Sequence, residues 1–277
     1  MPLHLRRPLL ALLSALLILA AAVPALAAER SWVKVTYDPG APQQLRDNVE
    51  ASLDTVADLL TEYRIYLTRP ITVIVSADHA GYVSILTSYG YTREKAEQTA
   101  KQSAGVSLGQ RPVIILKGSD ALRRDRQEVY RVLPHELFHQ VQSQWGKLGT
   151  VNWMVEAAPE LFRIKASEKA GFAPAGVYLA METLKIRHAK AIPSAAELAS
   201  KNYAVFSGLA GKGYPVYAMS TLMLSKLVED AGFDKVVYFY QQLHHGADPD
   251  KAFLATFRVP MGWFAKDMDT YFASLRQ

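Results

Sequence analysis

Cysteine is absent from all 277 residues. That absence excludes a disulfide scaffold, an iron–sulfur cluster, a thiolate zinc finger and a cysteine nucleophile, so any metal must rest on His, Asp or Glu. Glycine and proline, at 16 and 14 residues, are too scarce for a collagen-like or low-complexity chain. Disorder is excluded from the other side, because half of the residues are apolar and only 21% are charged. No internal repeat and no block of like charge occurs. The net charge of +5 is too small and too dispersed to suggest a nucleic-acid partner.

Long apolar runs are missing too, except at the start. Arg6 and Arg7 precede an apolar stretch from Leu9 to Val23, followed by Pro24 and the small-x-small sequence Ala25-Leu26-Ala27. This is the pattern of a secretory signal peptide over residues 1–27. The alternative, an uncleaved anchor, fits less well because the run is short for a bilayer-spanning helix. Cleavage would remove two arginines and no acid, lowering the net charge from +5 to +3. Without a cysteine after the leader there is no lipid attachment point of the lipoprotein kind. The expected location is therefore secreted or periplasmic, with no membrane contact once the leader is gone.

Residues 28–277 are expected to form one domain, an α+β half over 28–146 and a helical half over 147–277. Residues 31–37 alternate like a strand, and Asp38-Pro39-Gly40 turns the chain. Pro42 suits a first helical position, and Leu45, Val49, Leu53, Val56, Leu59, Leu60 and Tyr63 recur at helical spacing. The β-branched run 71–75 reads as a central strand. Two short helices should follow between Asp78 and Gly105, the second capped by Thr92. Residues 106–116, broken by Gly109 and Pro112, read as a hairpin or an edge strand. Beyond residue 121 strand signals nearly vanish, which makes the class α+β. A capping box at Ser194 and Glu197, then helix starts at Pro215, Asp234 and Asp248-Pro249, mark the helical part. In a last helix over about 261–275, Trp263, Phe264, Met268, Tyr271, Phe272 and Leu275 should supply the buried face.

The chemistry is concentrated at Leu133-Pro134-His135-Glu136-Leu137-Phe138-His139-Gln140. On a helix, His135 and His139 project from one face a turn apart and can hold one ion, with Glu136 beside them. Zinc on neutral nitrogen and carboxylate donors lowers the pKa of a bound water, and an adjacent carboxylate can take the proton and return it later. The bland reading is a helix with two surface or core histidines. A helix starting near Asp125 would contain Pro134 and be kinked there, with Asp125, Glu128, Arg131 and Gln142 facing water and Val129, Val132, Leu137 and Val141 facing the core.

Zinc needs a third protein ligand. A third histidine six residues after the second would suit the metzincins, but that position is Trp145. Glutamate from a following helix is the other arrangement, and sixteen residues separate His139 from Glu156, which lies within Trp153-Met154-Val155-Glu156-Ala157-Ala158-Pro159-Glu160. That gap allows the first helix to end around Gly146 or Gly149 and turn.

HELFH followed by WMVEAAPE resembles the gluzincins, most closely the extracytoplasmic peptidases grouped as peptidase MA-like domains, whose pattern is H-E-x-x-H followed by W-L-x-E-G-x-A-E. The resemblance implies a zincin-like α+β fold: a small N-terminal mixed sheet with an edge strand over the cleft, the H-E-x-x-H helix and a mostly helical C-terminal half. It implies one zinc per chain on His135, His139 and Glu156, with Glu136 as general base. Glu160 falls where related enzymes place a carboxylate that orients a ligand histidine, the alternative being a solvated surface acid. Ala157 and Pro159 depart from the pattern, and Pro159 would kink the second helix or mark a later start. Residues 111–117 would be the edge strand, with or without an extended substrate paired to it.

Related enzymes add a Tyr or His that stabilises the oxyanion, and Tyr217, or secondarily Tyr214, lies at the mouth of a helix in about the right place. A core tyrosine is the competing reading. His188, His244 and His245 are weaker candidates for that role and read more readily as surface histidines. The implied function is an exported zinc metallopeptidase acting on peptide or unfolded protein. The alternative is a catalytically weak or inactive zincin-like domain that binds a peptide or protein partner through its cleft.

Overall fold

The computed structural model describes residues 30–277 apart from 110, 146–150 and 201. The expected leader and the turn expected at Gly146 or Gly149 lie outside the described residues. Alternating positions in Val33–Tyr37 form β1, and the β-branched run Ile71–Val75 forms β2. They pair in parallel, Val33 opposite Ile71, so the chain between them must cross over. Helix α1, Gln43–Glu62, makes that crossover, with Pro42 just before its first residue. Its Leu45, Val49 and Leu53 are fully buried, each contributing about 1.5–3 kcal/mol of transfer free energy.

After β2 come α2, His79–Ser88, capped by the Asp78 carboxylate, and α3, Arg93–Gln102, capped by Thr92. The hairpin of β3, Gly105–Ser107, and β4, Val113–Leu116, completes a four-stranded mixed sheet in the order β1-β2-β4-β3. Residues 111–117 are therefore not the edge. β4 lies between β2 and β3, and β3 is the edge strand on that side of the sheet. The reason is in β4's own composition: Val113 and Ile115 pack against Tyr82, Leu86 and Ala96 of α2 and α3, while Ile114 and Leu116 face the main core. A strand covered on both faces needs apolar residues at every position.

The remainder is helical: α4, Asp120–Arg124; α5, Arg126–Trp145; α6, Asn152–Lys169; α7, Ala175–His188; α8, Ala195–Leu198; α9, Tyr203–Gly211; α10, Val216–Ala231; α11, Asp234–His244; α12, Pro249–Phe257; and α13, Met261–Leu275. The class is α+β, with thirteen helices among the described residues. The capping box at Ser194 and Glu197 is formed, and Gly232 ends α10 with φ +83°. In α13, Phe264, Met268 and Phe272 are buried with Met261 and Ala265, but Trp263 is 73% exposed. Trp263 sits one position off the 261/264/268/272 stripe, and a turn of 3.6 residues carries it to the solvent side. No helix among the described residues is long and apolar enough to cross a membrane.

Candidate metal centre

α5 and α6 carry the two motifs and pack along each other. Asp125 opens α5 by accepting from the Gln127 N–H at 2.8 Å, and Val129, Leu133, Leu137, Phe138 and Val141 bury its inner face. Pro134 lies inside α5, as the long-helix reading expects. Pro159 likewise lies inside α6, which begins before it, at Asn152. α6 is apolar on most sides, with Trp153, Met154, Ala157, Ala158, Leu161 and Phe162 all buried, as a helix enclosed by others must be.

The histidines stand one turn apart on α5, their rings edge to face with centroids 4.8 Å apart. Their Nε2 atoms are 3.2 Å apart, and Glu156 Oε2 lies 3.6 Å from His139 Nε2 and 3.8 Å from His135 Nε2. A four-coordinate ion with bonds of about 2.0–2.2 Å separates its donors by about 3.3–3.6 Å at tetrahedral angles. The observed triangle is close to that size. His135, His139 and Glu156 could therefore hold one metal ion.

Each histidine's other nitrogen is occupied. Glu160 Oε2 lies 3.3 Å from His135 Nδ1, and Gln142 Oε1 lies 3.0 Å from His139 Nδ1. Arg163, a turn further along α6 and buried, donates to both Glu160 oxygens, with 2.8 Å from Nε to Oε2. Glu160 is thus turned inward rather than solvated. Burial alone would raise its pKa, but the hydrogen bonds from His135 and Arg163 and the guanidinium charge reverse that and bring it down to about 2. For His139, burial opposes the charged form, yet the hydrogen bond and charge of Glu156, with help from Glu136 and Gln142, raise its pKa. Glu156 shows the complement: burial works against its carboxylate, and His139 and His135 nevertheless lower its pKa.

Gln142 does not face water. It is fully buried and also donates to Val155 O at 3.1 Å and to the Tyr240 hydroxyl at 2.9 Å. The surface expectation fails because a long helix enclosed by α6 and α11 has little outward face at its C-terminal end. Gln142, Arg163 and Tyr240 are the site residues that sequence reasoning missed. A signal existed for Gln142, since it lies three residues after His139 and a ligand histidine needs an acceptor for its second nitrogen.

Glu136 stands beside the triad without belonging to it. It lines a cleft of about 310 Å³ with Ser103, Gly105, His135, Glu160 and Arg163. The edge strand β3 therefore borders this cleft, where β4 was expected. Gln140 holds the hairpin against α5, with Nε2 at 2.7 Å from Ser107 Oγ and 3.0 Å from Arg111 O. Tyr217 does not line the cleft; it is half exposed with its ring edge-on to Phe206, and Tyr214 is partly buried against the core. His188, His244 and His245 are exposed. A larger cavity of about 710 Å³, between α7 and α10, contains none of the triad.

Compared with protein-family models, with curated proteins and with solved structures, the chain finds no match. What stands on the structure is an α+β chain in which helices α5 and α6 bring together a His/His/Glu group that could hold a metal.

Proposed function

We propose that the chain is a zinc-dependent peptidase of the gluzincin kind, with a zincin-like domain over residues 28–277 that is exported to the periplasm or beyond by a leader over 1–27. The observation that carries the reading is the convergence of His135, His139 and Glu156, with Glu136 outside that group and lining a cleft together with His135. Two imidazoles and a carboxylate suit zinc and leave a coordination position open. When bound, zinc would lower the pKa of a water and polarise a carbonyl. Glu136 would take the proton from that water and pass it to the leaving amine. Glu160 would keep His135 turned so that Nε2 faces the site. An extended peptide or unfolded segment is the substrate class that an accessible strand edge beside the cleft accommodates.

A second reading has one observation in its favour. Tyr217, the expected oxyanion donor, is half exposed with its ring edge-on to Phe206, which suits a zincin-like domain that binds a peptide without cleaving it. Metal analysis and a peptide-library digest with and without a chelator decide between them. One zinc per chain with chelator-sensitive cleavage supports the peptidase, and one zinc with no cleavage supports the binding module. No zinc after incubation with excess metal removes both.

A further inference from the structure

Pro159 departs from the motif that α6 resembles, and its consequence can be followed atom by atom. Proline has no N–H, so the Val155 carbonyl, one turn earlier, lacks the donor that a helix ordinarily supplies. Gln142 takes that carbonyl from the neighbouring helix at 3.1 Å. The same amide nitrogen reaches the Tyr240 hydroxyl at 2.9 Å, and Tyr240 passes its own hydrogen to Met154 O at 2.8 Å.

The hydrogen-bond directions in this network are forced. A backbone carbonyl only accepts, so the Gln142 atom facing Val155 O must be nitrogen. The Tyr240 hydrogen is committed to Met154 O, so its oxygen is free to accept the second amide hydrogen. Gln142 Oε1 is then the atom 3.0 Å from His139 Nδ1. An amide oxygen also only accepts, so Nδ1 carries the ring's hydrogen and Nε2 turns its lone pair toward His135 and Glu156.

We infer that Gln142 and Pro159 form a positioning unit for His139: the proline frees a carbonyl on α6, and the buried glutamine bridges to it and so fixes the histidine's tautomer and ring orientation. A normal residue at 159 would offer its own N–H to Val155 O and compete with Gln142. The helix would gain a hydrogen bond while the brace on His139 weakened.

The inference rests on the metal-centre reading and not on peptidase activity. The test compares wild type, Gln142→Met, Pro159→Ala and the double variant by zinc affinity in competition with a chromophoric chelator, by the visible spectrum of the cobalt(II)-loaded protein, and by the metal-free Tm. Gln142→Met should weaken zinc binding about 10- to 100-fold and alter the cobalt spectrum. Pro159→Ala should weaken it about threefold or more without lowering the metal-free Tm, and should add nothing in the Gln142→Met background. Pro159→Ala keeps every side chain of the network, so it is decisive even where Gln142→Met folds poorly. Wild-type affinity and spectrum in Pro159→Ala, or independent effects in the double variant, would overturn the inference. Wild type that binds neither zinc nor cobalt would overturn the metal centre and this inference with it.

Discussion

The Nε2 atoms of His135 and His139 face each other at 3.2 Å, with one oxygen of Glu156 within 4 Å of both. Two imidazole lone pairs so close repel unless a cation sits between them or one ring keeps its proton. With a metal available, the His–His–Glu triangle would have two charge states, one with the metal and one with a proton, and the two would compete.

That competition sets a pH dependence. In metal-free protein the pKa of His139 is raised from 6.5 and that of Glu156 is lowered from 4.5, against the burial of both. The histidine's contribution to stability is complete below about 6.5 and is lost as pH rises through its raised value; the glutamate's is complete above about 4.5 and is lost as pH falls through its lowered value. Chelator-treated protein should accordingly be most stable between these limits and lose Tm as the pH rises past them. Zinc affinity should increase over that same rise, because the proton leaves. Parallel Tm profiles with zinc and with chelator would count against a shared site.

Glu136 separates chemistry from coordination. Because it lies outside the donor triangle, Glu136→Gln should bind zinc as wild type does and melt within about 0.5 kcal/mol of it. Peptide hydrolysis should drop about 10²–10⁴-fold. Glu156→Ala should instead lose zinc and activity together. A Glu136→Gln protein that cleaves normally would mean the proton goes elsewhere.

Much of this was legible in the sequence, and the exceptions have physical reasons. Helices α1 and α10 to α13 could be read because apolar spacing and caps agree, as at Asp248-Pro249 and at Gly232. The place of β4 was obscured by Pro112 and Lys117 at its ends, although its unbroken Val-Ile-Ile-Leu run is what a strand covered on both faces requires. His135, His139 and Glu156 could be placed together because one helical turn and one helix reversal bring them close. Gln142 and Tyr240 could not be read in the same way. They lie 98 residues apart and meet only once α11 has packed beside α5 and α6.

Glu160 and Arg163 should behave as one unit. Holding the Glu160 carboxyl down to about 2 means its contribution to stability is complete above about pH 4.5 and is lost as the pH falls toward 2. Glu160→Gln should remove that acid sensitivity and lower zinc affinity about 10- to 100-fold. Arg163→Met leaves the buried carboxylate without its guanidinium and should cost about 3–5 kcal/mol, read by urea unfolding. If Arg163→Met in a Glu160→Gln background costs as much as in wild type, the two do not act together.

Gly105 is where the edge strand meets the H-E-x-x-H helix. Its φ is ordinary, so its backbone conformation does not call for glycine. Space does: a Cβ there would lie 2.5 Å from Val132 Cγ1, 3.0 Å from Leu116 Cδ2 and 3.3 Å from Glu136 Cγ. Two of these atoms belong to α5 and one to β4, so Gly105→Ala can be accommodated only by pushing β3 away from the helix or by turning Glu136. Overpacking of this kind costs about 1–3 kcal/mol. The metal donors are not among the crowded atoms, so zinc affinity should stay within about threefold of wild type, a shift worth under 1 kcal/mol. Hydrolysis should fall much further, because the displaced group is the proposed base. Val132→Ala removes the nearest of the three atoms and should recover part of both losses when combined with Gly105→Ala. A Gly105→Ala protein with wild-type stability and turnover would show that β3 does not press on Glu136 in solution, and the strand edge could then not be what aligns a peptide with that carboxylate.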